Sequence, residues 1–147
     1  MSNDIDIQLF REKSQTYMVC YDDKCPKANQ CLRRTVAAYV PEEQLNVRCV
    51  NPNYREIPDG QCPAFKPAEK VRMAVGMMHL LDDVPYETAC HIKRNLISQL
   101  TRKRFYAYRK GALPIPPDVQ QLIADTFVAN GHPEPPQFDG YTEDYLW

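Results

Sequence analysis

A chain of 147 residues, 44% apolar and with a formal net charge of −1, suffices for one domain or for two small units sharing a surface. Thirteen prolines against five glycines favour short elements joined by stiff turns over flexible linkers. The first fifteen residues lack a basic stretch followed by an apolar one, and no apolar run approaches the ~20 residues that span a bilayer; this argues against a secretory signal and a membrane span and makes the cytoplasm the expected location.

In chain order, Gln15–Tyr21 is rich in aromatic and β-branched residues and predicts a short strand. Cys31–Val40 suits a short helix stopped by Pro41. Leu45–Val50 alternates apolar and polar residues and predicts a second strand, closed by the turn residues Asn51, Pro52 and Asn53. A seam near Lys66–Glu69 separates this half from one that looks helical. Glu69–Leu81 is apolar on nearly all sides and predicts a central helix. Pro85–Leu100, with Asp83 as a candidate cap, places Ala89, Ile92, Leu96 and Leu100 on one face. Thr101 can cap a short helix, Arg102–Lys110, that Gly111 ends. Pro117–Asn130 has the clearest helical period, with Val119, Leu122, Ile123, Thr126 and Phe127 at core spacing and Gly131 after it. The closing segment is too aromatic for a solvated terminus, so Phe138, Tyr141, Tyr145 and Trp147 are expected to dock on the body.

Five of the six cysteines lie in the first half, spaced Cys20-x4-Cys25-x5-Cys31-x17-Cys49-x12-Cys62. A reducing compartment disfavours disulfides, and a tetrahedral zinc ion takes four thiolates at ~2.3 Å. The preferred ligands are Cys25, Cys31, Cys49 and Cys62; Cys20, in strand-like sequence that suits a buried thiol, is the alternate and could replace Cys62 or Cys25. Pro26 and Pro63 each stiffen the turn after a cysteine. An iron–sulfur cluster uses the same donors, and packed thiols or redox chemistry are the competing readings. Cys90 is expected simply to pack in its helix, and His79 and His91 are not assigned to a site. Neither a Ser-His-Asp arrangement nor a phosphate-binding glycine loop can be read from the sequence, so an enzyme is the weaker expectation.

Charge is unevenly placed. No Asp or Glu occurs from Thr88 to Pro117, which carries Lys93, Arg94, Arg102, Lys103, Arg104, Arg109 and Lys110, whereas the last thirty residues hold acids and no Lys or Arg. A helix, the basic Thr101–Gly111 segment and a third helix have the layout of a helix-turn-helix unit of the repressor type. Its candidate double-stranded-DNA contacts are Arg102, Lys103, Tyr106, Arg109 and Lys110, set against the plainer reading of a solvated face neutralised by the acidic tail. A protein partner docking on the aromatic tail is the other interaction expected.

Several segments are similar to an uncharacterised family of small cysteine-containing bacterial proteins, known mostly from gut anaerobes. They are Cys20-Tyr-Asp-Asp-Lys-Cys25-Pro-Lys-Ala-Asn-Gln-Cys31, Cys49-Val-Asn-Pro, Cys62-Pro, Tyr108-Arg-Lys-Gly, Pro114-Ile-Pro-Pro-Asp-Val and the ending Phe138-Asp-Gly-Tyr-Thr-Glu-Asp-Tyr-Leu-Trp. The resemblance implies no activity, but it implies that residues 1–66 and 67–147 form one cooperative unit. The expected fold is thus α+β: a small, cysteine-rich, metal-stapled region packed on a C-terminal helical bundle with a helix-turn-helix-like segment.

Overall fold

The computed structural model describes residues 4–54 and 61–147. It mixes helices with a small two-stranded sheet, an α+β composition. Two compact units divide the chain: residues 1–69 with 145–147, and residues 70–144.

The first unit has little regular structure. Helix α1 (Asp4–Lys13) carries acids in its first turn and bases in its last, which suits the helix dipole, and it buries Phe10. Helix α2 (Leu32–Ala37) follows a single 3-10 turn at Ala28–Gln30 and buries Leu32, Val36 and Ala37. The strands expected at Gln15–Tyr21 and Leu45–Val50 shrink to one bridge between Val19 and Cys49. Only one pair forms because Arg48, Cys49 and Asn46 are exposed, so no alternating face is buried to hold a longer ladder. Polar ties do the rest: Gln44 Nε2 donates to Ser14 O at 3.2 Å, and the fully buried Ser14 Oγ donates to Arg11 O at 2.7 Å. The C-terminal aromatics close this small core, with Phe10 5.3 Å from Tyr145 and Tyr17 edge-on to Trp147 at 5.2 Å.

In the second unit, the helix expected over Glu69–Leu81 is instead strand β1 (Lys70–Val75) followed by turns. The exposed Lys70 and Arg72 interrupt Val71, Met73 and Val75 with period two, and Gly76 at φ 80° cannot continue a helix. A Cβ at Gly76 would lie 2.7 Å from Asp139 Oδ2, because that carboxylate accepts from the Met78 and His79 amides. β1 pairs with β2 (Gly140–Tyr145). Ala74 also exchanges two backbone hydrogen bonds with Ile115, at 3.0 and 2.7 Å.

Three helices complete the unit. Helix α3 (Tyr86–Leu100) begins after Pro85 with no side-chain cap, so Asp83 does not serve as one. It buries Ile92, Leu96 and Leu100, the predicted stripe. Helix α4 (Arg102–Arg109) is capped by Thr101, whose hydroxyl accepts from Arg104 N at 3.4 Å, and Gly111 follows at φ 77°. Helix α5 (Pro117–Ala129) has proline in its first turn and Gly131 at φ 77° beyond its end. α3 packs on α4 and α5, and α5 on β1, around Leu96, Phe105, Tyr108, Ile115, Ile123 and Phe127.

Candidate functional site

The cysteine-rich unit brings together four of its five cysteines. Cys20, Cys25, Cys31 and Cys62 line one cavity of about 30 Å³, with Asp22, Ala28, Arg33, Arg34, Val50, Ala64 and Phe65. Local chemistry explains how they arrive there. Cys25-Pro26-Lys27-Ala28 forms a turn in which the Ala28 amide donates to Cys25 O at 3.0 Å. Cys62-Pro63-Ala64-Phe65 repeats it, the Phe65 amide donating to Cys62 O at 3.1 Å. Proline after the first residue presets φ for such a turn. The two turns touch where Lys27 Nζ lies 5.0 Å from the Phe65 ring centre.

Cys31 occupies the N-cap position of α2 in extended conformation and is buried. Its place is fixed on both sides: Ala68 N donates to Gln30 O and Leu32 N to Lys66 O. Cys20 enters through its amide, which donates to Arg33 O at 3.1 Å. Arg33 is the strut of this region. Its Nε donates to Ala64 O at 2.6 Å and an Nη to Met18 O at 2.8 Å, while its guanidinium lies 4.9 Å from the Tyr17 ring centre. Arg34 pairs with Asp23. Burial pushes the Cys20 thiol above its ordinary pKa; a backbone hydrogen bond at Asp22 works against this, and the neighbouring Cys31, Asp22 and Cys25 add to it.

Cys49 stands apart. It is exposed and its residue pairs with Val19, whereas its neighbour Val50 lines the cavity. Successive side chains on extended backbone point to opposite sides, so a wall that takes Cys20 and Val50 turns Val19 and Cys49 away. Cys90, expected to pack, is exposed as well, because on α3 it lies off the Ile92–Leu96–Leu100 stripe. All cysteines are free thiols. Among the described residues, no three His, Cys, Asp or Glu side chains are grouped tightly enough, as they stand, to hold a metal ion.

The second candidate is the basic corner between α3 and α4. Phe105 and Tyr108 are buried, which leaves Arg102, Lys103, Arg104 and Lys110 exposed and Tyr106 and Arg109 half-buried. Among the described residues, none of Lys93, Arg94, Arg102, Lys103, Arg104, Arg109 and Lys110 forms a salt bridge, so the acidic residues of the same unit do not pair with them. Lys93 and Arg102 converge on Tyr106, 5.8 and 5.3 Å from its ring centre. Three successive cations fill the first turn of α4, the positive end of the helix dipole, where acids are the favourable residues. One residue, Thr101, joins the two helices at φ 72° and ψ 151°, a region open essentially to glycine alone. The turn of a helix-turn-helix motif has three or four residues, so this corner is tighter than that pattern.

Elsewhere in the second unit, His79 Nδ1 lies 2.8 Å from Asp82 Oδ2 beside a cavity of about 370 Å³ that His132, Glu134 and Asp139 also line. The Asp82 hydrogen bond, with the charges of Asp82 and Asp139, holds the His79 pKa above the usual histidine value. No described helix is long and apolar enough to cross a membrane.

Among known proteins, a family model described as "Family of unknown function (DUF6078)" matches residues 1–147. No curated protein and no solved structure matches the chain.

Proposed function

The chain belongs to this family, whose function is unknown, and we propose that it is a nucleic-acid-binding accessory protein that holds duplex DNA through the α3–α4 corner. The carrying observation is the run of seven cations with no carboxylate partner among the described residues. Cations gathered at the positive end of a helix repel it and one another, and a phosphate placed there relieves both costs. Helix α4 supports the same reading by its length. Arg102 and Lys110 stand eight residues apart, about 12 Å along the axis, close to the width of the major groove. Its two charged ends then sit at the phosphate walls, with Lys103, Tyr106 and Arg109 between them. The one-residue turn favours backbone contact over base reading, so affinity is expected to exceed sequence preference.

A protein partner on the aromatic tail is the less favoured reading. Tyr145 and Trp147 are engaged with Phe10 and Tyr17, and Tyr141 lies under the Arg72 guanidinium at 3.8 Å. A metal staple in the cysteine-rich unit and a cytoplasmic location, where thiols stay reduced, belong to this proposal.

Fluorescence anisotropy with a labelled duplex at several salt concentrations tests the reading. Five phosphate contacts give a log–log slope of about −4.5, and the Arg102→Ala/Arg109→Ala variant flattens it by about 1.8. If that variant binds as tightly as the parent at every salt concentration, the corner is not a nucleic-acid surface. A stoichiometric co-purifying protein without salt-dependent retention of DNA would favour the tail instead.

A further inference from the structure

The first half holds five cysteines, one more than a tetrahedral ion takes, and the fold offers a way to choose among them. We propose that Cys20, Cys25, Cys31 and Cys62 bind one zinc ion as thiolates, with Cys49 and Cys90 outside the site. This deepens the proposed staple by naming its ligands and its metal, and it does not depend on nucleic-acid binding.

The first support is convergence. Ligands from three separated segments line one cavity, while Cys49 faces away and Cys90 lies in the other unit. Two of the four open Cys-Pro turns of the same form, and the third is locked between the 3-10 turn and α2. A rigid backbone behind each donor lowers the entropy lost on binding. Each thiol then has one side-chain rotation with which to close on the ion.

The second support is size. A cavity of about 30 Å³ exceeds the ~10–15 Å³ that holding a single water requires, so there is room for one small ion between the thiols. Room on that scale suits a mononuclear ion once the thiols rotate to close on it, since as they stand no three among the described residues are grouped tightly enough to hold one. Tetrahedral sulfur ligation selects zinc or iron, and zinc undergoes no redox change in such a site.

The third support is charge. Four thiolates around a divalent ion leave two negative charges, and the guanidinium-bearing Arg33 and Arg34 line the same cavity. Asp22 lines it too, but its Oδ1 accepts from the Lys24 amide at 3.0 Å. Arg33 also ties the segment before Cys20 to the Cys62 turn through Met18 O and Ala64 O, so it positions two ligands while offsetting their charge. On binding, the four thiols give their protons to solvent and no electrons move.

The test combines elemental analysis with alkylation mapping of the full-length protein, purified without added metal and without a metal-chelating tag. Expected are about one zinc per chain and slow alkylation of Cys20, Cys25 and Cys62 that a chelator accelerates more than tenfold. Cys49 and Cys90 should react at the same rate with and without chelator. Zinc content should survive Cys49→Ser and fall in Cys62→Ser. The alkylation arm uses the natural sequence, so it decides the ligand set even if Cys62→Ser does not fold. Zinc present with Cys49 protected and Cys20 reactive overturns these ligands but leaves a staple standing. Absence of zinc, or iron with sulfide, overturns the zinc site itself.

Discussion

The two units differ in what holds them. Residues 70–144 gather thirteen buried apolar side chains into one core, whereas the described part of the first unit gathers five: Phe10, Val19, Leu32, Val36 and Ala37. Burying a large apolar side chain contributes about 1.5–3 kcal/mol, so the second unit has ample apolar stabilisation and the first has little. The first unit makes up part of the difference with side-chain-to-backbone bonds from Arg33, Gln44 and Ser14. It also places four thiols around one small cavity. A region short of core is where a structural metal contributes most, since its binding energy becomes folding energy. The helical unit needs no such device and spends its surface on unpaired charge instead.

Paired core truncations challenge this contrast most strongly. Phe127→Ala removes a side chain from the larger core and is expected to cost about 3–5 kcal/mol; Leu32→Ala in the smaller one should cost about 2–5 kcal/mol. The two units carry separate reporters. The single tryptophan, Trp147, belongs to the first unit, while the two longest helices, α3 and α5, belong to the second. In urea titrations, Leu32→Ala should move the fluorescence midpoint more than the helical circular-dichroism midpoint, and Phe127→Ala the reverse. Equal shifts of both probes in both variants would show one cooperative unit, and the contrast between two separately held cores would be lost.

A smaller effect probes strain at the basic corner. Thr101 occupies a backbone region that costs a non-glycine residue about 1–3 kcal/mol. Thr101→Gly removes that cost, gives up a weak 3.4 Å cap worth a few tenths, and adds unfolded-state entropy of about 0.5–1 kcal/mol. The net expectation is a gain of about 1 kcal/mol, seen as a higher melting temperature of the helical signal. A lower one would mean that the threonine sits there without strain.

These features were unequally legible in the sequence. Helix α5 could be read from its period, and α4 from Thr101 before it and Gly111 after it, because caps and glycine stops are local signals. β1 was hidden: Val71, Met73 and Val75 alternate with Lys70 and Arg72, but the methionines beyond Gly76 made the longer stretch look apolar all round. The cysteines announced a cluster without its geometry. Choosing Cys20 over Cys49 requires knowing that Val19 pairs with Cys49, a long-range contact that turns one side chain of each strand-like segment away from the cavity. Nothing local in Leu45–Val50 carries that information. The tight corner at Thr101 was equally invisible, since a β-branched residue there runs against local preference.

The smallest expected effect sharpens the contrast through pH. His79 Nδ1 donates to the Asp82 carboxylate at 2.8 Å and is exposed, with its pKa raised first by that hydrogen bond and then by the charges of Asp82 and Asp139. A raised folded-state value means that the protonated form favours the folded unit. Its contribution is therefore fully present below the ordinary histidine value near 6.5 and is lost as pH rises through the raised one. An exposed pair is screened by water and salt, so the change in stability should be slight. Proton NMR should show the His79 ring titrating above the ordinary value in the natural protein and close to it in Asp82→Asn; unchanged titration in that variant would remove Asp82 as the cause. The first unit is expected to respond in the opposite sense. If the proposed zinc site forms, acid protonates its thiolate ligands and releases the ion, so lowering the pH should loosen the cysteine-rich unit while the helical unit holds or gains slightly.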